Sequence, residues 1–372
     1  MKFLHSSDFQ LGMTRKFLGQ AQERFDDARD QAIQNLAGIA DDQDCEFVVL
    51  AGDIFDANNI PERIFYQAVD SFLEFQMPVY ILPGNHDALV SDSILARLAE
   101  EVPNVVLLRD TSLHSVRPGV EVFGAPLLAR HPGNDLMTVA LSDKEPTENV
   151  RIMVGHGQFD SYGDSKHFDL SIVEEALAQH KISYLAMGDT HSAGPIGKTN
   201  KIWFSGAPEV TDFYDVRLNK GEINSGKALI VSATNENVSV EEVTVGSWQF
   251  LTYSADLRSD ADVSALIAEW KNLPQKKNIV LKTKVGGKLS LAGKEEYNGA
   301  IEKFEKRFAA IFPSKSSPEI TIIPNKSELV DVKVAGYVGE VYGELLEESS
   351  TDPIAAQALL ELYSLLQRQE QV

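Results

Sequence analysis

The 372-residue chain has a single cysteine, Cys45, which excludes a disulfide framework and any zinc site built on thiolates, and fits a reducing compartment. It has no apolar run long enough to cross a bilayer, and its opening Met1-Lys2-Phe3-Leu4-His5 turns polar too soon for a signal peptide. The expectation is a soluble, cytoplasmic protein with no membrane partner. Basic residues are scarce. Against 55 Asp and Glu stand 34 Lys and Arg, a net charge of -21, which argues against coating nucleic acid or an anionic membrane with the whole surface. Internal repeats and low-complexity linkers are also missing. With 43% hydrophobic residues there is ample material for a packed core, and the length predicts a large domain plus a smaller one.

The acidity is uneven. Residues 1–246 hold 19 basic and 37 acidic side chains (-18), residues 247–372 hold 15 and 18 (-3), and within the latter residues 271–315 hold 11 and 4 (+7). That stretch reads either as a solvated lysine-rich face or as an electrostatic footprint for a polyanion.

The first two thirds alternate short aliphatic runs with amphipathic stretches, the pattern of an α/β domain. Lys2–Ser6, Phe47–Ala51, Val79–Leu82, Arg151–Val154 and Tyr184–Met187 are predicted as buried strands. Helices are predicted through Phe25, Ala28, Ala32, Ile33, Leu36 and Ile39, and after Pro61. Ile202–Ser205, Ala228–Ser232 and Val238–Val243 follow without intervening helices, which suggests a two-sheet sandwich with helices outside. After Gly246 come a strand at Trp248–Tyr253, a helix at Asp262–Leu273, a strand at Ile279–Val285, a helix at Lys294–Ile311 and a strand at Glu319–Ile323. The expected division is 1–246, an α+β domain at 247–335 and a helical segment at 336–372. In that last segment Ala355, Ala358, Leu359, Leu362, Leu365 and Leu366 form one apolar stripe after Asp352-Pro353, either docked on its own chain or free for a partner.

Five polar clusters follow predicted strands, at the sheet edge where α/β proteins bind ligands. They are Asp8-Phe9-Gln10, Gly52-Asp53-Ile54-Phe55-Asp56, Gly84-Asn85-His86-Asp87, Gly155-His156-Gly157 and Gly188-Asp189-Thr190-His191. Each offers oxygen or imidazole ligands beside residues that let the backbone turn sharply. Any one of them alone would read as a helix cap; five in series do not.

Together the clusters resemble the calcineurin-like metallophosphoesterase superfamily, with its D-x-H, G-D-x-x-D, G-N-H-[DE], G-H and G-H-x-H elements, over residues 1–245. His5-Ser-Ser-Asp8-Phe-Gln-Leu-Gly12 is similar to the opening of SbcD-type DNA repair exonucleases, and Phe204-Ser-Gly-Ala-Pro208 to their Y-x-G-S-P segment. The resemblance implies an α/β/β/α sandwich, a smaller C-terminal α+β cap that contacts DNA, and a terminal helix that binds an SbcC-type ATPase, with a homodimer as a further option. It also implies two divalent ions. Asp53 would bridge them; Asp8, Gln10 and His191 would complete one site, and Asn85, His156 and Asp189 the other. Two such ions can hold a phosphoryl oxygen and lower the pKa of a water between them. His86 would stand at the leaving group with Asp56 orienting its ring, and Asp87 is read as a cap of the following turn.

Two positions depart from the pattern, Gln10 and Asp189, where the family has histidine. Each replaces an imidazole with an oxygen-bearing group, which shifts the expected preference toward Mn2+, with Mg2+ or iron as alternatives, and away from zinc. Three functions stay open: an SbcD-type nuclease, an esterase for small phosphate esters, and a weakened scaffold for a partner ATPase. Of the other histidines, His5 is expected to pack in its strand, and His114, His131, His167 and His180 to lie in loops or at helix ends.

Overall fold

In the computed structural model the described residues are 1–128, 135–159, 168–323, 325–330, 332 and 334–369; His131 and His167 lie outside them. They form two compact units, the first made of Met1–Tyr214 and Lys220–Phe250, the second of Asp215–Asn219 and Leu251–Val372. No described helix is long and apolar enough to cross a membrane.

The strands of the first unit are β1 (Lys2–Ser6), β2 (Phe47–Ala51), β3 (Val79–Leu82), β4 (Val105–Leu107), β5 (His114–Arg117), β6 (Val120–Gly124), β7 (Val150–His156), β8 (Tyr184–Gly188), β9 (Gly194–Pro195) and β10 (Ile202–Phe204). The two-residue strands β11 (Tyr214–Asp215) and β12 (Lys220–Gly221) flank its excursion, and β13 (Lys227–Ala233) and β14 (Val238–Thr244) close it. Helices α1 (Gln22–Asp42), α2 (Glu62–Phe72), α3 (Ile94–Glu101), α4 (Leu136–Leu141) and α5 (Leu170–Ala178) join them. One sheet runs β14-β13-β1-β2-β3-β4 and the other β5-β6-β7-β8-β10-β9. Four strands of each, β1 to β4 and β6-β7-β8-β10, pair in parallel.

Alternation along these strands builds the layers. Val48 and Leu50 face the apolar sides of α1 and α2, while Phe47, Val49 and Ala51 point the other way into a core shared with Val122, Ile152, Val154 and Tyr184. Phe3 stacks on Phe47 at 5.0 Å inside it. A third cluster, around Met153, Leu185, Val173 and Leu177, seats α4 and α5 on the outside of the second sheet. The result is the α/β/β/α sandwich expected from the sequence.

The second unit contains β15 (Gln249–Leu257), α6 (Asp260–Asn272), β16 (Ile279–Leu289), α7 (Leu291–Glu305), β17 (Ala310–Pro313), β18 (Ile320–Ile322), α8 (Lys326–Val330), α9 (Tyr337–Glu348) and α10 (Pro353–Gln369). The helix expected to run to Ile311 stops at Glu305, and Ala310–Pro313 pairs in parallel with β16. Apolar residues at 308, 311 and 312 suit a helical stripe as well as a buried strand, and the sheet wins them. The stripe on α10 is largely used within its own unit: Leu359 and Tyr363 are buried with Leu329 and Tyr342, whereas Leu365 is exposed.

His114 departs from its expected loop, since it opens β5 and lies half-buried against Tyr80. His180 follows α5, exposed, as expected.

Candidate metal centre

All five clusters lie at the C-terminal ends of parallel strands, Asp8 and Gln10 after β1, Asp53 and Asp56 after β2, Asn85 and His86 after β3, His156 at the end of β7, and Asp189 and His191 after β8. The loops after β1 and β2 are zipped together. Asp8 N donates to Gly52 O at 3.0 Å, Gln10 N to Asp53 O at 2.9 Å, and Leu11 N to Ile54 O at 2.9 Å. Asp8, Gln10, Asp53 and Asp189 all hold positive φ (58°, 47°, 54° and 94°), a conformation costly for side-chain-bearing residues that the surrounding bonds enforce. Close approach demands glycine beside them. A Cβ on Gly84 would stand 2.1 Å from Asp53 Oδ1, and one on Gly52 2.4 Å from His156 Nδ1.

The expected ligands converge. One ligand atom each from Asp8, Asp53 and His156 lies within 4.8 Å of the others. His156 Nδ1 donates to Ala51 O at 2.7 Å, which turns Nε2 inward, 3.4 Å from Asp53 Oδ1 and 3.7 Å from Asp189 Oδ1. The Asn85 amide approaches His156 Nε2 at 2.9 Å and the two Asp53 oxygens at 3.1 and 3.0 Å. Across the site, the Gln10 amide lies 3.2 Å from His191 Nε2, which is 3.9 Å from Asp8 Oδ1. The two departures from the histidine pattern therefore sit inside the cluster.

The electrostatics suit a cation. Burial pushes the Asp8 carboxyl up to about 6, against the pull of His191 and His156. Burial alone would lower His156, but the charges of Asp53, Asp8 and Asp189 outweigh it and raise the imidazole well above its ordinary value. Two buried carboxylates at such close quarters, with mixed oxygen and nitrogen donors around them, fit divalent metal ions. The donor set alone leaves the metal's identity open.

His86 is half-buried. Its main-chain N–H donates to Asp53 Oδ1 at 2.9 Å, and its Nδ1 faces the main-chain oxygen of Asp56 at 2.9 Å. The Asp56 carboxylate, expected to orient the ring, is farther off at 3.8 Å. Asp87 does not cap the turn that follows it. Fully buried, it accepts from Ile54 N at 2.7 Å, Phe55 N at 3.1 Å and Gly84 N at 2.8 Å, tying the β2 and β3 loops together. Burial, reinforced by Asp53, pushes its carboxyl up to about 7.

The sequence reading missed several supports. Arg29, buried on α1, donates to the Gln10 carbonyl at 2.6 Å. Ser7 Oγ donates to Asp8 Oδ2 at 2.6 Å and meets Ser205 Oγ at 2.7 Å, while Ala207 N donates to His191 O at 3.0 Å, so the Phe204–Pro208 segment braces both sides of the site. Thr211 and Glu222 stand behind His191.

The model of the calcineurin-like phosphoesterase family matches residues 1–193. A 91-residue stretch is 31% identical to the SbcD component of the SbcCD nuclease of Bacillus subtilis, covering 23% of this chain and 22% of that protein. Two proteins named "DNA double-strand break repair protein Mre11" also match. The one from Sulfolobus acidocaldarius is 25% identical over 50% of this chain and 49% of its own length, and the one from Archaeoglobus fulgidus 24% identical over 65% and 59%. The chain thus spans 22 to 59% of the curated relatives it matches.

Proposed function

Because this chain belongs to the calcineurin-like phosphoesterase family, as the match over more than half of its length establishes, we propose that it is a two-metal phosphodiesterase that cleaves DNA, in the manner the names of its nuclease relatives suggest. The observation that carries this reading is the convergence of Asp8, Asp53 and His156 within 4.8 Å, with Asn85, Asp189, Gln10 and His191 closing around them. Asp53 lies between the two groups of ligands. Asp8, Gln10 and His191 would hold one ion; Asn85, His156 and Asp189 would hold the other. Bound divalent ions supply charge stabilisation at a phosphoryl group and lower the pKa of a water.

The remaining work belongs to the side chains. His86, pinned by its N–H to Asp53 and by Nδ1 to the Asp56 carbonyl, stands at the departing oxygen as proton donor or charge stabiliser. Oxygen donors at Gln10 and Asp189 favour Mn2+, with Mg2+ or iron next, over zinc. The +7 stretch at residues 271–315 supplies cations for phosphates, in support of a role in DNA repair. Exposed Leu365 and Ile354 on α10 leave apolar surface for an SbcC-type ATPase or a second copy of the chain.

A second reading, an esterase for small phosphate esters, is favoured by the -18 balance of residues 1–246. Salt separates the two. DNA cleavage by this protein is expected to lose apparent affinity steeply between 50 and 200 mM salt, roughly tenfold or more. Hydrolysis of a chromogenic ester with no response on DNA at any salt would favour the second reading.

A further inference from the structure

His191 reaches the site through Nε2, and its other ring nitrogen faces away from it. Nδ1 lies 2.5 Å from Thr211 Oγ1, and that hydroxyl lies 2.6 Å from Glu222 Oε2. A hydroxyl has one proton to give. An ionised carboxylate has none, so Thr211 must donate to Glu222, which leaves its oxygen to accept from His191 Nδ1–H. The direction of the whole relay follows from its last member. Nδ1 carries the proton, and Nε2 keeps its lone pair for the site.

Glu222 is well held for this task. Its Oε1 accepts from Thr211 N at 2.9 Å and its Oε2 from Asp212 N at 2.8 Å, and its side chain is 4% exposed, so it cannot swing out to water. Burial pulls its carboxyl upward, but hydrogen bonds from His191 and Thr211 hold it below the usual range. A carboxylate buried at this depth, bonded to one hydroxyl and two main-chain amides and 3.5 Å from His191 Nδ1, needs a reason beyond loop closure.

We propose that Glu222, acting through Thr211, is a positioning residue that fixes the ring orientation and tautomer of His191 and thereby sets the affinity of the ion held by Asp8, Gln10 and His191. The inference rests on the two-metal reading above. Arginine or lysine in place of a relay would repel that ion; a hydroxyl backed by a carboxylate raises the basicity of the imidazole toward it.

The test is titration of full-length protein with Mn2+ alone, free ion being counted by electron paramagnetic resonance, for the wild type, Thr211→Val, Thr211→Ser and Glu222→Gln. Thr211→Val keeps the shape and deletes the relay, and Thr211→Ser restores it. Circular dichroism of each metal-free variant reports folding. The expected result is a Kd for one of the two ions raised about 10- to 100-fold in Thr211→Val and Glu222→Gln, with the other ion and Thr211→Ser close to wild type. Folded Thr211→Val that binds both ions like wild type would overturn the inference, as would Thr211→Ser as weak as Thr211→Val. A wild type that binds one ion, weakened by the same two changes, overturns the two-metal reading and leaves the relay standing. One ion unaffected by any change overturns both.

Discussion

The main-chain N–H of Asp189 donates to both carboxylate oxygens of Asp8, at 3.2 and 3.1 Å. Asp8 follows a strand of the first sheet and Asp189 a strand of the second, so this forked bond stitches the two halves of the sandwich at the point where the ligands meet. It also turns one carboxylate toward another, since Asp189 Oδ1 and Asp53 Oδ1 both approach His156 Nε2. Negative charge is concentrated there before any cation binds.

A stability response to metal follows. Ions that bind only the folded state stabilise it by about 2.7 kcal/mol at a hundredfold excess over Kd. Mn2+ is therefore expected to raise the melting temperature of the wild type by several degrees, and that of Asp53→Asn by much less, in differential scanning calorimetry. Equal shifts in both proteins would place the ions elsewhere.

Gly84→Ala puts a methyl group 2.1 Å from Asp53 Oδ1 and 2.4 Å from Asp53 N. The backbone nitrogen cannot yield, so the change should cost about 1–3 kcal/mol and weaken Mn2+ binding with it. Gly299 on α7 meets nothing within 4 Å, and alanine there should stabilise by about 0.5–1 kcal/mol. Urea denaturation of the two variants provides the contrast.

Asp189→His exchanges a carboxylate for a softer nitrogen ligand. Competition dialysis should show the Zn2+ to Mn2+ affinity ratio rising by roughly tenfold. No change would mean that residue 189 does not touch the ions.

His86→Gln should lower kcat for phosphodiester hydrolysis by about 100-fold or more while leaving Mn2+ affinity near wild type. The bond to Asp53 comes from the main chain of residue 86 and survives the change. A parallel loss of metal would assign His86 to the ions.

His5 gives a pH signature of its own. Burial lowers its imidazole to about 3 from an ordinary 6.5, with Nδ1 3.1 Å from Tyr184 Oη. Between those values the unfolded chain binds a proton that the folded one refuses, so folding weakens as pH falls, by about 1.4 kcal/mol per unit. Asp8 and Asp87, raised by burial, act in the opposite sense over part of the same range. Comparison with His5→Gln cancels their contribution. Between pH 6 and 5 the wild type should lose about 1.2 kcal/mol relative to the variant in chemical denaturation.

The parallel strands were legible because their burial on both faces leaves continuous apolar runs, and Phe47–Ala51 is read with its observed bounds. The polar clusters were legible for the complementary reason. Asp53 and Asn85 break such runs beside glycine, a contrast that local sequence carries. Glu222 and Thr211 carry no such mark. They sit 11 residues apart in an irregular stretch, and only the folding of that stretch onto His191 gives them meaning. Asp87 shows the same limit, since the N–H donors to its carboxylate, Ile54 and Phe55, come from a loop 33 and 32 residues away. At 308–312 the pattern itself is ambiguous, and strand pairing with Val280–Thr283 decides it.

The most direct test of the account is the number of Mn2+ ions bound per chain, measured together with cleavage of linear DNA and of a chromogenic phosphodiester by wild type and Asp53→Asn. Two ions and metal-dependent cleavage of both substrates are predicted for the wild type, with cleavage reduced on the order of a thousandfold in Asp53→Asn. Fewer than two ions with no cleavage of either substrate, or cleavage that survives the loss of the Asp53 carboxylate, would contradict it.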